Sequence, residues 1–239
     1  MVDIHTHILN NIDDGSNNID DSIHILKQYI NEGVKKVVLT PHYIENSNYS
    51  VENKQKIELF KKLSEEVKKQ NINIELYLGN EVYLSDNILE LINKNKIMTI
   101  NNSKYILIEL PMVNENPNVI DTIYNLKLSG ITPIIAHPER YVYIQKDINK
   151  ALEYINAGAL LQVNKGSLFK KYGKASYKTV KKLIKKKLVH FIASDIHSSK
   201  NIYSSKKVRK KLKRLASNNY IDNILEKNGL NVLNNVEIG

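Results

Sequence analysis

Short runs of apolar, largely β-branched residues recur along the chain, separated by longer segments whose apolar positions return every three or four residues. The short runs read as buried parallel strands and the long ones as crossover helices. Seven runs fit the strand pattern: VDIH (2–5), KVVLT (36–40), NIELYLG (73–79), KYILIEL (104–110), TPIIAH (132–137), ALLQVN (159–164) and VHFIASD (189–195). In the first intervening helix, Asp20 or Asp21 can cap the start, Ile19, Ile23, Leu26 and Ile30 share a face, and Gly33 follows as a stop. Repetition of strand then helix predicts a parallel sheet with right-handed crossovers, wound into a barrel or left open. No G-x-G-x-x-G or P-loop sequence follows any strand, which removes the strongest sign of an open dinucleotide-binding sheet. No linker, repeat or low-complexity tract divides the sequence, so residues 1–239 read as one α/β domain.

Composition narrows the chemistry. With 239 residues, 42% of them hydrophobic, the chain can bury one sizeable core. The absence of cysteine excludes disulfides, iron–sulfur clusters, thiolate zinc sites and cysteine nucleophiles, so any metal must be held by nitrogen and oxygen. The formal charge of +10 comes largely from lysines gathered in KKLIKKK (181–187) and KKVRKKLKR (206–214). Such runs can attract nucleic acid, membrane phosphates or acidic protein segments. Here Leu183, Ile184 and Leu188, and then Val208, Leu212 and Leu215, keep helical spacing, so both runs read as solvated faces of amphipathic helices. The sequence opens on a strand without the basic and apolar regions of a signal peptide, and contains no membrane-length apolar stretch; a cytoplasmic protein is expected.

The polar residues then change the picture. Strand one runs into His5 and His7, strand two into His42, strand three into Glu81, strand four into Glu109, strand five into His137, and strand seven into Asp195 and His197. Five of the seven histidines therefore fall where a parallel barrel gathers its active site. Residues two apart on an extended segment face the same way, so His5 with His7, and Asp195 with His197, can each chelate one cation. Asp13, Asp14 and Gly15 lie in the loop after strand one, where an aspartate can fold back over the same mouth. Glu109 follows a buried apolar run, where a carboxylate is costly unless paired or metal-bound. An H-x-H pair alone is as readily a strand end satisfied by backbone; His24 and His190 fit no constellation and read as ordinary structural residues. His5, His7, Asp14, His42, Glu81, Glu109, His137, Asp195 and His197 make nine nitrogen and oxygen ligands, more than one ion takes.

From DIHTH through TPHY, GNEVYL, IEL and AHPER to SDIH, the chain resembles the polymerase and histidinol phosphatase (PHP) superfamily, whose fold is a distorted barrel of seven β/α units around a trinuclear metal centre. The DIHTHIL…IDDG opening and AHPERY are most similar to the bacterial protein-tyrosine phosphatases encoded with capsule and exopolysaccharide genes, the CpsB, CapC and YwqE type. The resemblance implies that His5, His7, Glu81 and Asp195 hold one ion, that Asp14, His42 and His197 hold a second, and that Glu109 and His137 hold a third, bridged to the first by Glu81. It implies two or three divalent ions, manganese foremost, with iron, zinc and cobalt compatible with the same ligands. Arg140 matches an arginine that contacts substrate phosphate. The family usually carries another arginine after SDxH; here SDIHSSKNIYSSK offers only Lys200 or Lys206, which supply charge without the planar two-pronged geometry of arginine.

Clustered cations lower the pKa of a water and clamp phosphoryl oxygens, so direct hydrolysis of a phosphomonoester is expected. The resemblance makes the substrate a phosphotyrosine protein, namely a bacterial tyrosine kinase controlling polysaccharide export. The alternatives are a small-metabolite phosphatase such as one for histidinol phosphate and, behind it, a nucleic-acid-processing phosphoesterase. The last lacks any appended nucleic-acid module or aromatic stacking pattern.

Overall fold

A computed structural model of the chain describes residues 1–238. Its strands are β1 (Val2–Asp3), β2 (Lys36–Leu39), β3 (His42–Tyr43), β4 (Glu75–Leu78), β5 (Glu81–Tyr83), β6 (Tyr105–Glu109), β7 (Thr132–Ala136), β8 (Leu160–Asn164) and β9 (Phe191–Ala193). All pair in parallel, in two sheets ordered β1-β2-β4 and β3-β5-β6-β7-β8-β9. Between and after them lie α1 (Ile19–Asn31), α2 (Asn53–Lys69), α3 (Ile88–Asn93), α4 (Val119–Leu128), α5 (Val142–Lys146), α6 (Asn149–Asn156), α7 (Gly173–Lys185), α8 (Ser205–Leu212), α9 (Asn218–Asp222) and α10 (Asn228–Leu233).

Seven of the strands correspond to the seven apolar runs; β3 and β5 are additional. They arise because the second and third barrel strands each break and resume. Pro41, which has no N–H for a ladder, ends β2, and the Gly79-Asn80 pair ends β4. Asn80 ties the two breaks together: its amide donates to Pro41 O at 2.9 Å, while its carbonyl accepts from Lys56 Nζ at 2.9 Å and from Met98 N at 3.0 Å. Beyond the breaks, His42 and Glu81 are register partners. β1 is shorter than expected because side chains replace its ladder: Thr6 N donates to Thr40 Oγ1 at 3.0 Å and Thr6 Oγ1 donates to Val38 O at 2.8 Å. Past β9 the chain returns to the first strand through a parallel Thr6–Ile196 bridge and the bonds Asp195 N to His5 O (3.0 Å) and His7 N to Ile196 O (2.9 Å). Strand adjacency thus runs around the distorted seven-unit α/β barrel arrangement.

Alternate strand residues fill its interior: Val2, Val38, Tyr105, Leu107, Ile134, Ala136, Leu160, Phe191 and Ala193, joined by Val232 and Leu233 of α10 at the strands' N-terminal ends. An ideal Cβ on Gly229 of α10 would sit 2.8 Å from Val2 Cβ, so only glycine lets that helix seat so deeply. The opposite strand faces, with Ile106, Ile108, Ile135, Leu161 and Ile192, pack beneath α4 and α7. Leu183, Ile184, Val208 and Leu212 are buried, as the helical spacing of the lysine-rich runs requires. The cap of α1 differs from expectation: Asn18, not Asp20 or Asp21, accepts from Asp21 N, and both aspartates lie in the first turn, where they complement the helix dipole. Gly33 follows the helix at φ +74°, the left-handed geometry expected of a stop. No helix among the described residues is long and apolar enough to cross a membrane.

Candidate metal centre

At the C-terminal mouth of the strands, eight side chains gather around Glu81. His5 Nε2 and His7 Nε2 lie 3.2 Å apart and face Glu81 Oε2 at 3.1 and 3.2 Å. Asp195 Oδ1 is 3.6 Å from each imidazole. On one flank, Asp14 Oδ1 is 3.3 Å from His197 Nε2 and 3.6 Å from His42 Nε2, and the His7 and His197 rings stack with centroids 3.9 Å apart. On the other, His42 Nδ1 lies 3.2 Å from Glu81 Oε2 and 3.9 Å from Glu109 Oε2, while His137 Nε2 meets Glu81 Oε1 at 3.0 Å and Glu109 Oε1 at 3.6 Å. Three groups have donor atoms close enough to hold a cation: His5, His7 and Glu81; His7, Asp14, His42 and His197; and His42, Glu81 and Glu109. The grouping implied by resemblance differs in detail, since His7 and His42 each stand between two of these groups and His137 reaches Glu109 alongside the third.

Local backbone explains the aim. His137, immediately after β7, and Asp195, two residues past β9, adopt left-handed φ values of 34° and 52°; for His137, which follows the interior-facing Ala136, this turns the side chain off its strand's alternation and into the mouth. Gly15 is required where the first loop folds back, because a Cβ there would lie 2.0 Å from His7 O. A second layer fixes the imidazoles. Asp13 Oδ2 is 2.7 Å from His7 Nδ1 and accepts from His42 N at 3.0 Å, and Gln162 Oε1 is 2.7 Å from His5 Nδ1. Both histidines thereby direct Nε2 at the mouth. Gln162 in turn donates to Asn164 Oδ1 at 2.9 Å, and Asn164 donates to Asp195 Oδ2. Gln162 and Asn164 are missing from the sequence reading; the signal was two polar residues alternating within the buried run LLQVN.

The electrostatics are those of donors without a partner. Buried Glu81 Oε2 and His42 Nδ1 make no hydrogen bond despite their close neighbours. Burial opposes the His5 cation, yet Glu81 and Asp195 override it and lift its pKa to about 9. Burial likewise opposes the His7 cation, and Asp13 and Glu81 raise it well above the ordinary value. Glu81 is held well below the usual carboxylate range against its burial, by His5 and His42. Burial and the Glu81 charge push Glu109 up to about 8, against the pull of Arg140. In the bare chain, protons thus do the neutralising that a dication does when these ligands bind one.

Arg140 stands at the rim. Its guanidinium donates to Asp195 Oδ2 at 3.2 Å and stacks on Tyr172, with Cζ 4.5 Å from the ring centroid. Lys200 is exposed in a 3₁₀ turn, Ser199–Asn201, and pairs with no carboxylate among the described residues, and Lys206 is likewise exposed on α8. His24 pairs with Gln28 on exposed α1, and His190 Nδ1 accepts from Leu161 N at 3.1 Å; neither approaches the cluster.

A family described as capsular polysaccharide synthesis, CpsB/CapC, matches residues 1–234. CapC of Staphylococcus aureus is 42% identical over 203 residues, which cover 84% of this chain and 78% of CapC. The tyrosine-protein phosphatase YwqE of Bacillus subtilis is 32% identical over 200 residues, covering 84% of this chain and 78% of YwqE. A chain from the crystal structures of YwqE from Bacillus subtilis and CpsB from Streptococcus pneumoniae, described as unique metal-dependent tyrosine phosphatases, superimposes with a TM-score of 0.91 at 29% identity, covering 100% of this chain and 96% of that one.

Proposed function

The chain belongs to the CpsB/CapC family of capsular polysaccharide synthesis proteins, and on that premise we propose that it is a metal-dependent protein-tyrosine phosphatase working as one domain over residues 1–239. The observation that carries the reading is the convergence of nitrogen and oxygen donors on Glu81, with its buried Oε2 lacking any hydrogen bond, beside a guanidinium at the open rim. Those residues fit two or three divalent cations. His5, His7, Glu81 and Asp195 would hold one, Asp14, His42 and His197 a second, and Glu109 and His137 a third. Manganese is the first choice, and iron, zinc and cobalt suit the same donors. Bound there, the cations supply an activated water at neutral pH and charge neutralisation for a phosphoryl group.

The chain's own residues do the rest. Asp13 and Gln162 keep His7 and His5 in the tautomers that face the mouth, and Asn164 holds Asp195. Arg140, braced by Asp195 and Tyr172, is pre-aimed at phosphate oxygens and stabilises the charge they gain in the transition state. A phenolate leaves readily enough that no strong acid is needed at the leaving-group side. The physiological substrate in this reading is an autophosphorylated bacterial tyrosine kinase of polysaccharide export, met in the cytoplasm.

Purified protein supplied with manganese should hydrolyse a phosphotyrosine peptide, lose that activity to a chelator, and ignore thiol-alkylating reagents. Activity that survives chelation rejects the metal mechanism, and a strong kcat/KM preference for histidinol phosphate over the peptide rejects the substrate class. Arg140→Lys should cost about 10²–10³ in kcat, because an ammonium group cannot reproduce the planar fork that meets both Asp195 and phosphate.

A further inference from the structure

The charge of this protein is distributed unevenly. Residues 154–221 carry 18 of the 35 basic residues and only one of the 25 acidic ones, and that one is Asp195 in the metal centre. Within this segment, α7 and α8 enclose a cavity of about 220 Å³ lined by Leu168, Tyr177, Lys181, Lys185, Lys211 and Arg214. A second hollow of about 190 Å³ adjoins it, sharing Lys211 and Arg214 and adding Phe169, Lys207 and Lys210.

A solvated helix face spreads its lysines outward, but here cations from three elements gather on shared rings. Lys170, Lys181 and Lys211 lie 5.4, 5.1 and 6.0 Å from the Tyr177 centroid, and Lys211 is 4.8 Å from that of Phe169. Among the described residues, none of the cations lining these hollows has a carboxylate partner within ion-pair distance, whereas neighbouring Arg209 pairs with Asp222 at 2.7 Å. Crowding like charges without counter-charge is unfavourable until an anion enters.

A succession of cation–ring contacts leads from the groove to the rim. Lys170 at Tyr177 is followed by Lys171, whose Nζ lies 5.0 Å from the Tyr172 centroid, and Tyr172 carries Arg140 and points its hydroxyl at Asp195 from 3.4 Å. We propose that the α7–α8 groove docks an acidic segment of the phosphoprotein substrate that flanks the tyrosine being hydrolysed, an inference that rests on the phosphatase reading. The apolar floor at Leu168 and Leu215 and the small concave hollows suit individual side chains of a peptide. They suit less well a nucleic-acid strand, which needs a row of stacking rings, or a flat anionic bilayer.

The test compares three substrates on the metal-loaded enzyme: p-nitrophenyl phosphate, a phosphotyrosine peptide with neutral flanks, and the same peptide with an Asp/Glu-rich flank. Wild type should favour the acidic flank through KM, and the preference should fall about tenfold in a Lys211→Ala/Arg214→Ala double variant and at high salt, while the other two substrates keep their rates. Binding of the fluorescent acidic peptide without phosphate to chelated protein, read by anisotropy, should weaken in parallel. A preference that is absent in wild type or unchanged in the variant overturns the proposal, as does tighter binding of duplex DNA or phosphatidylserine vesicles than of the peptide. If no aryl phosphate is hydrolysed while the peptide still binds in the groove, the phosphatase reading fails and the anion site stands. Should the double variant melt early, Lys181→Ala/Lys185→Ala carries the same prediction.

Discussion

Asp13 and Asp14 are neighbours of identical chemistry with different surroundings. Asp13 is buried against His7 Nδ1 and the backbone of His42 and Gly15, whereas Asp14 is half exposed between His42 and His197. The sequence shows that one of the two faces the mouth; which one is decided by the fold-back of the loop. Asp13→Ala should lower divalent-metal affinity about 10–100-fold in a calorimetric titration, because His7 loses the acceptor that fixes its tautomer. An unchanged affinity would remove Asp13 from the supporting layer. His190 carries a cleaner pH prediction, since it lies away from the metal centre. Burial lowers its pKa to about 4, and its Nδ1 is an acceptor for Leu161 N, so folding requires the neutral ring. Its contribution is complete above the unfolded value of 6.5 and is lost as pH falls through 4. Across that window wild type should lose on the order of 3 kcal/mol more stability than His190→Gln in denaturant titrations. Strand-end histidines and carboxylates were legible because barrel geometry puts chemistry at that end. Gln162, Asn164 and Tyr172 were not, because each acts through a neighbour that sequence does not identify.

Elements were legible to the extent that periodicity is local. Seven apolar runs marked seven strand positions, and the lysine-rich helices bury the apolar stripe their spacing predicts. β3 and β5 escaped because strands of two and three residues have no period, and their pairing exists only once Asn80 joins the breaks at Pro41 and Gly79. Yet those breaks put His42 and Glu81 in register. The first loop is equally constrained. Gly15→Ala would force its backbone away from His7, costing about 1–3 kcal/mol and loosening Asp13 and Asp14 together. Metal content per chain should drop along with the melting temperature; a variant with full metal content would show that the loop can shift without disturbing its aspartates.

At the scale of the molecule, two ends of the barrel do separate work. α10 plugs the strands' N-terminal end with Val232 and Leu233, so the last helix completes the core. The opposite mouth concentrates buried charge that the core cannot satisfy. Cations that bind only the folded state should stabilise it, so metal-loaded protein should melt roughly 5 °C or more above the chelated form. In chelated protein, the His5 contribution is present below pH 6.5 and disappears as pH rises through about 9, so its melting point should decline across that interval. A scan in which metal, chelator and pH leave the midpoint unchanged would contradict both.

The meeting of β9 with the first strand at Thr6 and Ile196 also bears on how the protein is made. The earliest donors to leave the ribosome, His5 and His7, share their cluster with Asp195, among the last. A nascent chain must therefore carry its first histidines unfinished until β9 has been made, and closing so distant a contact is slow. A chain that stops short at α7 lacks Asp195 and His197, so the donor cluster is complete only once β9 and the residues just after it have been made.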